Sequence, residues 1–510
     1  MTSAREGDEG SKVMNKLTVY ADQPLSKINR HLYGHFAEHL GACIYDGIYV
    51  GEDSRIPNVR GMRSDIVEAM KQIRAPNLRW PGGCFADVYH WRDGIGPREQ
   101  RPTRLNFWGN APETNAFGTH EFMDLCEQIG CEPYIGGNVG SGTVQEMRDW
   151  IEYLTSNYDS TLSNERRANG RAQAWRIPFW GIGNENWGCG GLMRPEYMAD
   201  LYCQYHNFMR NYGDTPMMRI ASGLGGSDTN AEDAAIFMDR IMNRRHPVHT
   251  DGLSIHYYVY LPDQPRHSAT EFGEAEWYEV LKLASDIDGV IAKNAAVLDT
   301  YDPGKRIWLI VDEWGAWYPV EPGTNPAFLY QQNSMRDAVV AALTLHIFQD
   351  HCDRVQMANL AQTVNVIQAL FLTKGEALVY TPTFHVFDML KGHQDATALR
   401  YDLIAPVIDV NSVPLAQISA GASRAENGEV LVTLANLHAS ESTALEIEFT
   451  DRAVTEITGV ELSADHFTAH NTFDEPTRVT PKRFDGVVIQ DGSHVRVQLP
   501  AASVVALTLV

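Results

Sequence analysis

Between about residues 28 and 397 the chain repeats one rhythm: a short apolar run, a Gly- or Asn-rich loop, then an amphipathic helix. The runs fall at Leu32–Ala37, Asn77–Gly83, Glu132–Asn138, Ile177–Glu185, Met218–Gly223, Gly252–Tyr258, Arg306–Trp314 and Val355–Gln362. Helical periodicity is plain in Ser64–Arg74, where Ile66, Ala69, Met70 and Ile73 recur at i, i+3, i+4 and i+7. Continuous apolar strands covered by crossover helices predict a parallel sheet, and eight of them predict an α/β fold closed as a (β/α)8 TIM barrel over 28–397. A doubly wound open sheet is the alternative. It would gather its polar strand ends at one switch point, whereas here they recur strand after strand.

From residue 398 the rhythm changes. Glu429–Leu437, Ala444–Phe449, His494–Pro500 and Ser503–Val510 alternate or run apolar, separated by turns such as AENGE and QDGSH. This pattern predicts an antiparallel, jelly-roll-like β-sandwich over 398–510. The early strand at 16–27, which begins KLTVYAD, pairs into it on this reading, and residues 1–15 are expected to be disordered.

Composition narrows the partners. With 510 residues, 44% hydrophobic and 21% charged, the chain can bury a large core in two or more domains. A formal net charge of −23 argues against nucleic acid and anionic membranes, which require a basic surface, and suits a neutral substrate. Seven scattered cysteines with no CxxC pair predict reduced thiols instead of a disulfide framework, and hence a reducing compartment. The N-terminal segment carries charges of both signs and no apolar stretch, and no run approaches bilayer length. A cytoplasmic protein is expected.

In a barrel enzyme the reacting groups gather where strands end. Glu185 closes IPFWGIGNE and is followed by Asn186 and Trp187, and Glu313 closes RIWLIVDE and is followed by Trp314. An acid after a long apolar strand is costly unless its charge is used. Either one alone is equally well read as a salt-bridge partner; the two together, on the fourth and seventh strands, favour catalysis. Paired carboxyls are what acetal hydrolysis needs, one protonating the leaving oxygen and one attacking the anomeric carbon. Asp312 competes with Glu313. Alternation along a strand allows only one of them to face the barrel mouth. His35, Glu38 and His39 spell HxxEH, an inverted zinc-protease pattern. Lacking helical context and a third ligand, it reads as a chance match. The stretches GGNVGSGT and SGLGGSD lack phosphate-loop form and read as barrel loops.

GNENWG around Glu185 and IVDEWGAWY around Glu313 resemble the acid/base and nucleophile motifs of clan A glycoside hydrolases. INRHLYGHFAEHLG, RWPGGCFADVYHWRDGIGP, ETNAFGTHEF, ANLAQTVNVI and NTFDEPTRVTP extend the likeness to family 51, the α-L-arabinofuranosidases, along nearly the whole chain. The resemblance implies Glu185 as acid/base and Glu313 as nucleophile of a retaining, exo-acting enzyme. It further implies that Glu38, Cys84 and Asn184 bind sugar hydroxyls, with Cys84 standing where other members carry Asn. Arg79 and Tyr258 would orient Glu313, with Tyr257 as the alternative to Tyr258. Gln362 would close the sugar pocket, and Trp108 and Trp187 would wall its entrance. It implies no cofactor and no metal, arabinofuranosyl oligosaccharides as substrates, and a homo-oligomer, often a hexamer. Two other readings compete: an endo-acting clan A xylanase or glucanase, and a non-catalytic sugar-binding barrel.

Overall fold

The computed structural model describes residues 15–222, 230–450 and 453–509. Most of the segment expected to be disordered, and the stretch SGLGGSD apart from Ser222, lie outside them. Among the described residues, eight parallel strands close a barrel: Gly34–Phe36, Asn77–Trp80, Glu132–Gly137, Phe179–Ile182, Met218–Ala221, Gly252–Tyr260, Trp308–Trp317 and Val355–Ala361. Each pairs with its sequence neighbour, and the last closes on the first through Asn359–Gly34, Leu360–His35 and Ala361–Phe36. The interior is filled rather than open. Tyr134, Phe179, Ile220, Ile310 and Met357, from five strands, pack as one buried layer, as expected where inward side chains interdigitate.

The seventh strand breaks its own alternation. Opposite the sixth strand, Ile310 pairs with Ser254 but Glu313 pairs with His256, so three steps on one strand match two on the other. This bulge rotates the chain, and both Asp312 and Glu313 turn to the barrel interior, where each meets Arg79. The expectation that only one of the two acids faces inward fails for this reason.

Beyond the barrel lies a ten-stranded sheet. Strand Lys16–Lys27 runs antiparallel to Thr397–Ile404 and parallel to Thr443–Phe449, so the first strand of the chain sits inside the last domain. Its Leu17 and Val19 join Leu399, Val432, Leu434, Leu445, Ile447, Val497 and Leu507 in a core separate from the barrel's. The helix Met335–Asp350 joins the two bodies. Ser334 caps its first turn through Arg336 N, and every residue from Met335 to Gln349 is buried. One side meets the strand Trp308–Trp317; the other meets Ile418–Arg424, Val430–Asn436 and Ser503–Leu509. Arg336, Asp337, Thr344, His346 and Gln349 are buried along with its apolar residues, so the helix is interior all round. Among the described residues no helix is long and apolar enough to cross a membrane.

Candidate active site

The site is built from the loops and strand ends at the C-terminal mouth of the barrel. Trp80–Pro81 leads into two glycines that the site cannot do without. A Cβ at Gly82 would come within 2.6 Å of Glu38 Cγ, and one at Gly83 within 2.6 Å of Glu313 Oε1. Only glycine permits that approach. The Glu38 side chain, 3% exposed, is fully engaged: Oε1 accepts from Gly83 N at 3.1 Å, Phe85 N at 3.0 Å and Trp108 Nε1 at 3.3 Å. Oε2 accepts from Gln362 Nε2 at 2.9 Å. Burial, reinforced by Glu313, pushes the Glu38 carboxyl up to about 7. Gln362 Oε1 is buried without a partner among the described residues, an acceptor of the kind that a bound hydroxyl would satisfy.

Arg79 is the central donor. Its Nη1 bonds Glu313 Oε1 at 2.8 Å and its Nη2 bonds Asn184 Oδ1 at 2.6 Å. Tyr258 OH donates to the other Glu313 oxygen at 2.7 Å. Tyr257 points the opposite way and donates to Leu283 O, as strand alternation requires. Tyr258 is therefore the one beside Glu313. Glu185 follows the fourth strand on a turn with φ +38, a left-handed conformation that costs a side-chain-bearing residue on the order of 1–3 kcal/mol. Trp187 is half-buried on the same turn, and its Nε1 has no partner among the described residues.

Four residues that sequence reasoning passed over complete the arrangement. His256 Nδ1 lies 2.9 Å from Glu185 Oε1 and 3.6 Å from Glu313 Oε2, while Nε2 lies 3.1 Å from Asp312 Oδ1. Burial alone would lower this imidazole, but Glu313, Asp312 and Glu185 outweigh it and raise it to about 10. Asp312 answers in kind: burial opposes its charge, yet Arg79 and His256 hold it down at about 2. Tyr134 OH donates to Asp312 Oδ2 at 2.7 Å. Asp87 gathers main-chain donors from two neighbouring loops. The only signal for His256 in the sequence was its place two positions before Tyr258 on the same strand face.

Cys189 is the fourth, and it corrects the expectation of reduced thiols. Cys84 and Cys189 form a disulfide with Cα atoms 5.6 Å apart, joining the loops after the second and fourth strands. The remaining five cysteines are free and buried. Cys84 therefore has no S–H with which to donate to a sugar. Its sulfur lies 3.9 Å, and that of Cys189 3.4 Å, from Glu185 Oε2.

HxxEH does not converge. His39 has both nitrogens engaged, by Glu113 at 2.8 Å and Trp80 Nε1 at 3.0 Å, and His35 is buried in the first strand. Glu185, His256 and Glu313 each place one atom within 4.8 Å of the others, a spacing metal ligands also adopt. As they stand, these groups pair by charge, His256 Nδ1 lying 2.9 Å from Glu185 and 3.6 Å from Glu313.

Acid groups facing each other at the mouth of a parallel barrel, ringed by polar side chains, define a glycosidase-like site. Family models agree. Residues 69–264 match the "Alpha-L-arabinofuranosidase 1 domain" and residues 312–503 the "Alpha-L-arabinofuranosidase C-terminal domain". The chain is 47% identical over 498 residues to an intracellular exo-α-L-arabinofuranosidase of Bacteroides ovatus, covering 97% of this chain and 95% of that one. The crystal structure of the GH51 arabinofuranosidase from Xanthomonas axonopodis pv. citri superposes with a TM-score of 0.93 at 45% identity, covering 97% of this chain and all of the other (100%). An α-L-arabinofuranosidase from Thermotoga maritima, solved with arabinose, superposes with a TM-score of 0.78 at 28% identity, with 97% and 100% coverage. The chain belongs to the α-L-arabinofuranosidases of glycoside hydrolase family 51.

Proposed function

We propose that the protein is an exo-acting, retaining α-L-arabinofuranosidase in which Glu313 is the nucleophile and Glu185 the acid/base. The observation that carries this reading is the gap between the two acids: a carboxyl oxygen of Glu185 and one of Glu313 lie within 4.8 Å of each other. A separation of about 5 Å suits double displacement, whereas inversion needs room for a water and roughly 6.5–9.5 Å. Glu313, oriented by Arg79 and Tyr258, attacks the anomeric carbon while Glu185 gives its proton to the departing oxygen. A glycosyl ester on Glu313 results. Glu185, now ionised, takes a proton from water, and the hydroxide equivalent displaces Glu313 to release arabinose with its configuration retained. His256, with Nδ1 2.9 Å from Glu185 Oε1, fixes the orientation of that carboxyl.

An exo mode is supported by the burial of Glu38, Asn184 and Gln362, each at most 3% exposed, which makes a pocket for one terminal sugar more natural than a groove. Substrates on this reading are arabino-oligosaccharides with terminal non-reducing α-L-arabinofuranosyl groups. Trp108, whose indole nitrogen already serves Glu38, forms part of the pocket wall, and Trp187 flanks its rim. The intracellular name of the Bacteroides relative supports a cytoplasmic location, and the family resemblance supports a homo-oligomer, to be measured by light scattering. The decisive test is proton NMR of the first-formed product from a branched arabino-oligosaccharide, alongside Glu185→Ala and Glu313→Ala. Retained anomeric configuration, and kcat losses of at least about 10³-fold in both variants, are expected. Inverted product, or near-parent rates in either variant, would refute the assignment.

A further inference from the structure

Asp87 takes no part in the chemistry above, yet it is 2% exposed and placed between three barrel loops. It lies on the short helical turn Cys84–Val88 that follows the second strand. Its Oδ1 accepts from Val139 N and Gly140 N, both at 2.7 Å, in the loop after the third strand. Its Oδ2 accepts from Asn184 N at 2.9 Å, in the loop after the fourth. Its main-chain oxygen takes Ser141 N at 3.1 Å and Ser141 Oγ at 2.8 Å. Three main-chain donors from two other loops converge on this one carboxyl, so the side chain is a local staple.

What it staples is the turn that carries Glu185. Asn184 is held at both ends, its amide by Asp87 and its side-chain oxygen by Arg79. The very next residue adopts the strained φ of +38. From there the chain doubles back: Gly188 N and Gly190 N both donate to Glu185 O. Gly190 presses so close that a Cβ there would stand 1.8 Å from Asn184 O and 2.7 Å from Asp87 Oδ2. The turn is wrapped over the Asp87 carboxylate, and a left-handed residue persists only where its surroundings enforce it.

We infer that Asp87 is the positioning residue for the acid/base: its bond to Asn184 N fixes the main chain from which Glu185 projects. The inference rests on the assignment of Glu185 as acid. Leaving-group dependence separates it from a merely structural role. Cleavage of an aryl arabinofuranoside whose phenolate leaves unaided needs no proton, while an unactivated phenyl arabinofuranoside needs one in the transition state.

Asp87→Asn is the discriminating variant. Its amide oxygen can still receive Val139 N and Gly140 N, but its NH2 group meets Asn184 N donor to donor. In Asp87→Asn, kcat/KM for the phenyl substrate should fall about 30-fold or more, and for the 2,4-dinitrophenyl substrate by no more than about 3-fold. Asp87→Ser, smaller and with one hydroxyl acceptor, is run in parallel in case the amide variant does not fold. Glu185→Gln provides the reference pattern. Equal losses on both substrates in the folded Asp87 variants overturn the inference while leaving Glu185 in place. If Glu185→Gln itself shows no leaving-group bias, the acid assignment falls and the inference with it.

Discussion

His256 binds the acids of the site into one charged unit, and its titration gives the site a pH dependence with a definite sign. Its folded value, about 10, stands above the roughly 6.5 of an exposed imidazole. The stabilisation it brings is therefore complete below about pH 6.5 and is lost as the pH rises toward 10. The melting temperature of the parent protein should fall across that window. His256→Asn, less stable at pH 6, should show a flatter profile, as read by scanning calorimetry. Arg79 serves two acceptors in different directions, Glu313 and Asn184, and a lysine has no planar fork to span them. Arg79→Lys should lose about 10²-fold in kcat/KM. Which of these residues the sequence revealed follows from how each is placed. Glu185 and Glu313 announced themselves as acids closing apolar runs. The Cys84–Cys189 bridge did not, because an odd count of scattered cysteines describes the chain as a whole, whereas a disulfide needs only two loops brought within reach. Cys189 is exposed and lies beside Glu185. Treatment with a dithiol reductant should therefore shift kcat/KM of the parent and leave a Cys84→Ser/Cys189→Ser protein unchanged.

Among the elements, the eight barrel strands were legible because a strand buried on both faces must be continuously apolar, and a crossover helix must show a 3.6-residue period. The bulge that turns Asp312 inward was not. It is a matter of register between the sixth and seventh strands, and the seventh strand's own sequence reads the same with or without it. The N-terminal strand could be recognised from its alternation, but not its parallel partner Thr443–Phe449, more than four hundred positions away. That strand is no edge ornament. Leu17 is wholly buried in the sheet's core, so Leu17→Ala should destabilise the protein by about 2–5 kcal/mol in chemical denaturation. Replacement of the exposed Leu25 on the same strand should cost under about 0.5 kcal/mol.

For the molecule as a whole, the division into barrel and sheet is one of architecture more than of stability. His346, on the helix between them, places its two nitrogens 2.9 Å from Ser419 Oγ and Thr433 Oγ1, both in the sheet. Gln349 of the same helix reaches back to Tyr33 OH at the base of the barrel, also at 2.9 Å. His393 meets Thr433 as well, at 2.9 Å. The helical period of this segment was visible in the sequence, but its central apolar run could equally have meant deep burial within the barrel. Only the tertiary structure shows it shared. The protein should accordingly melt in one calorimetric transition, with no separate sheet event. The shared helix also constrains how such a protein can be recombined. A chimera that took its sheet from a relative while keeping its own Met335–Asp350 would inherit one half of a fitted joint, whereas moving the crossover point upstream of Ser334 would carry the contacts between helix and sheet across but leave behind the strand Lys16–Lys27 and the Tyr33 partner of Gln349.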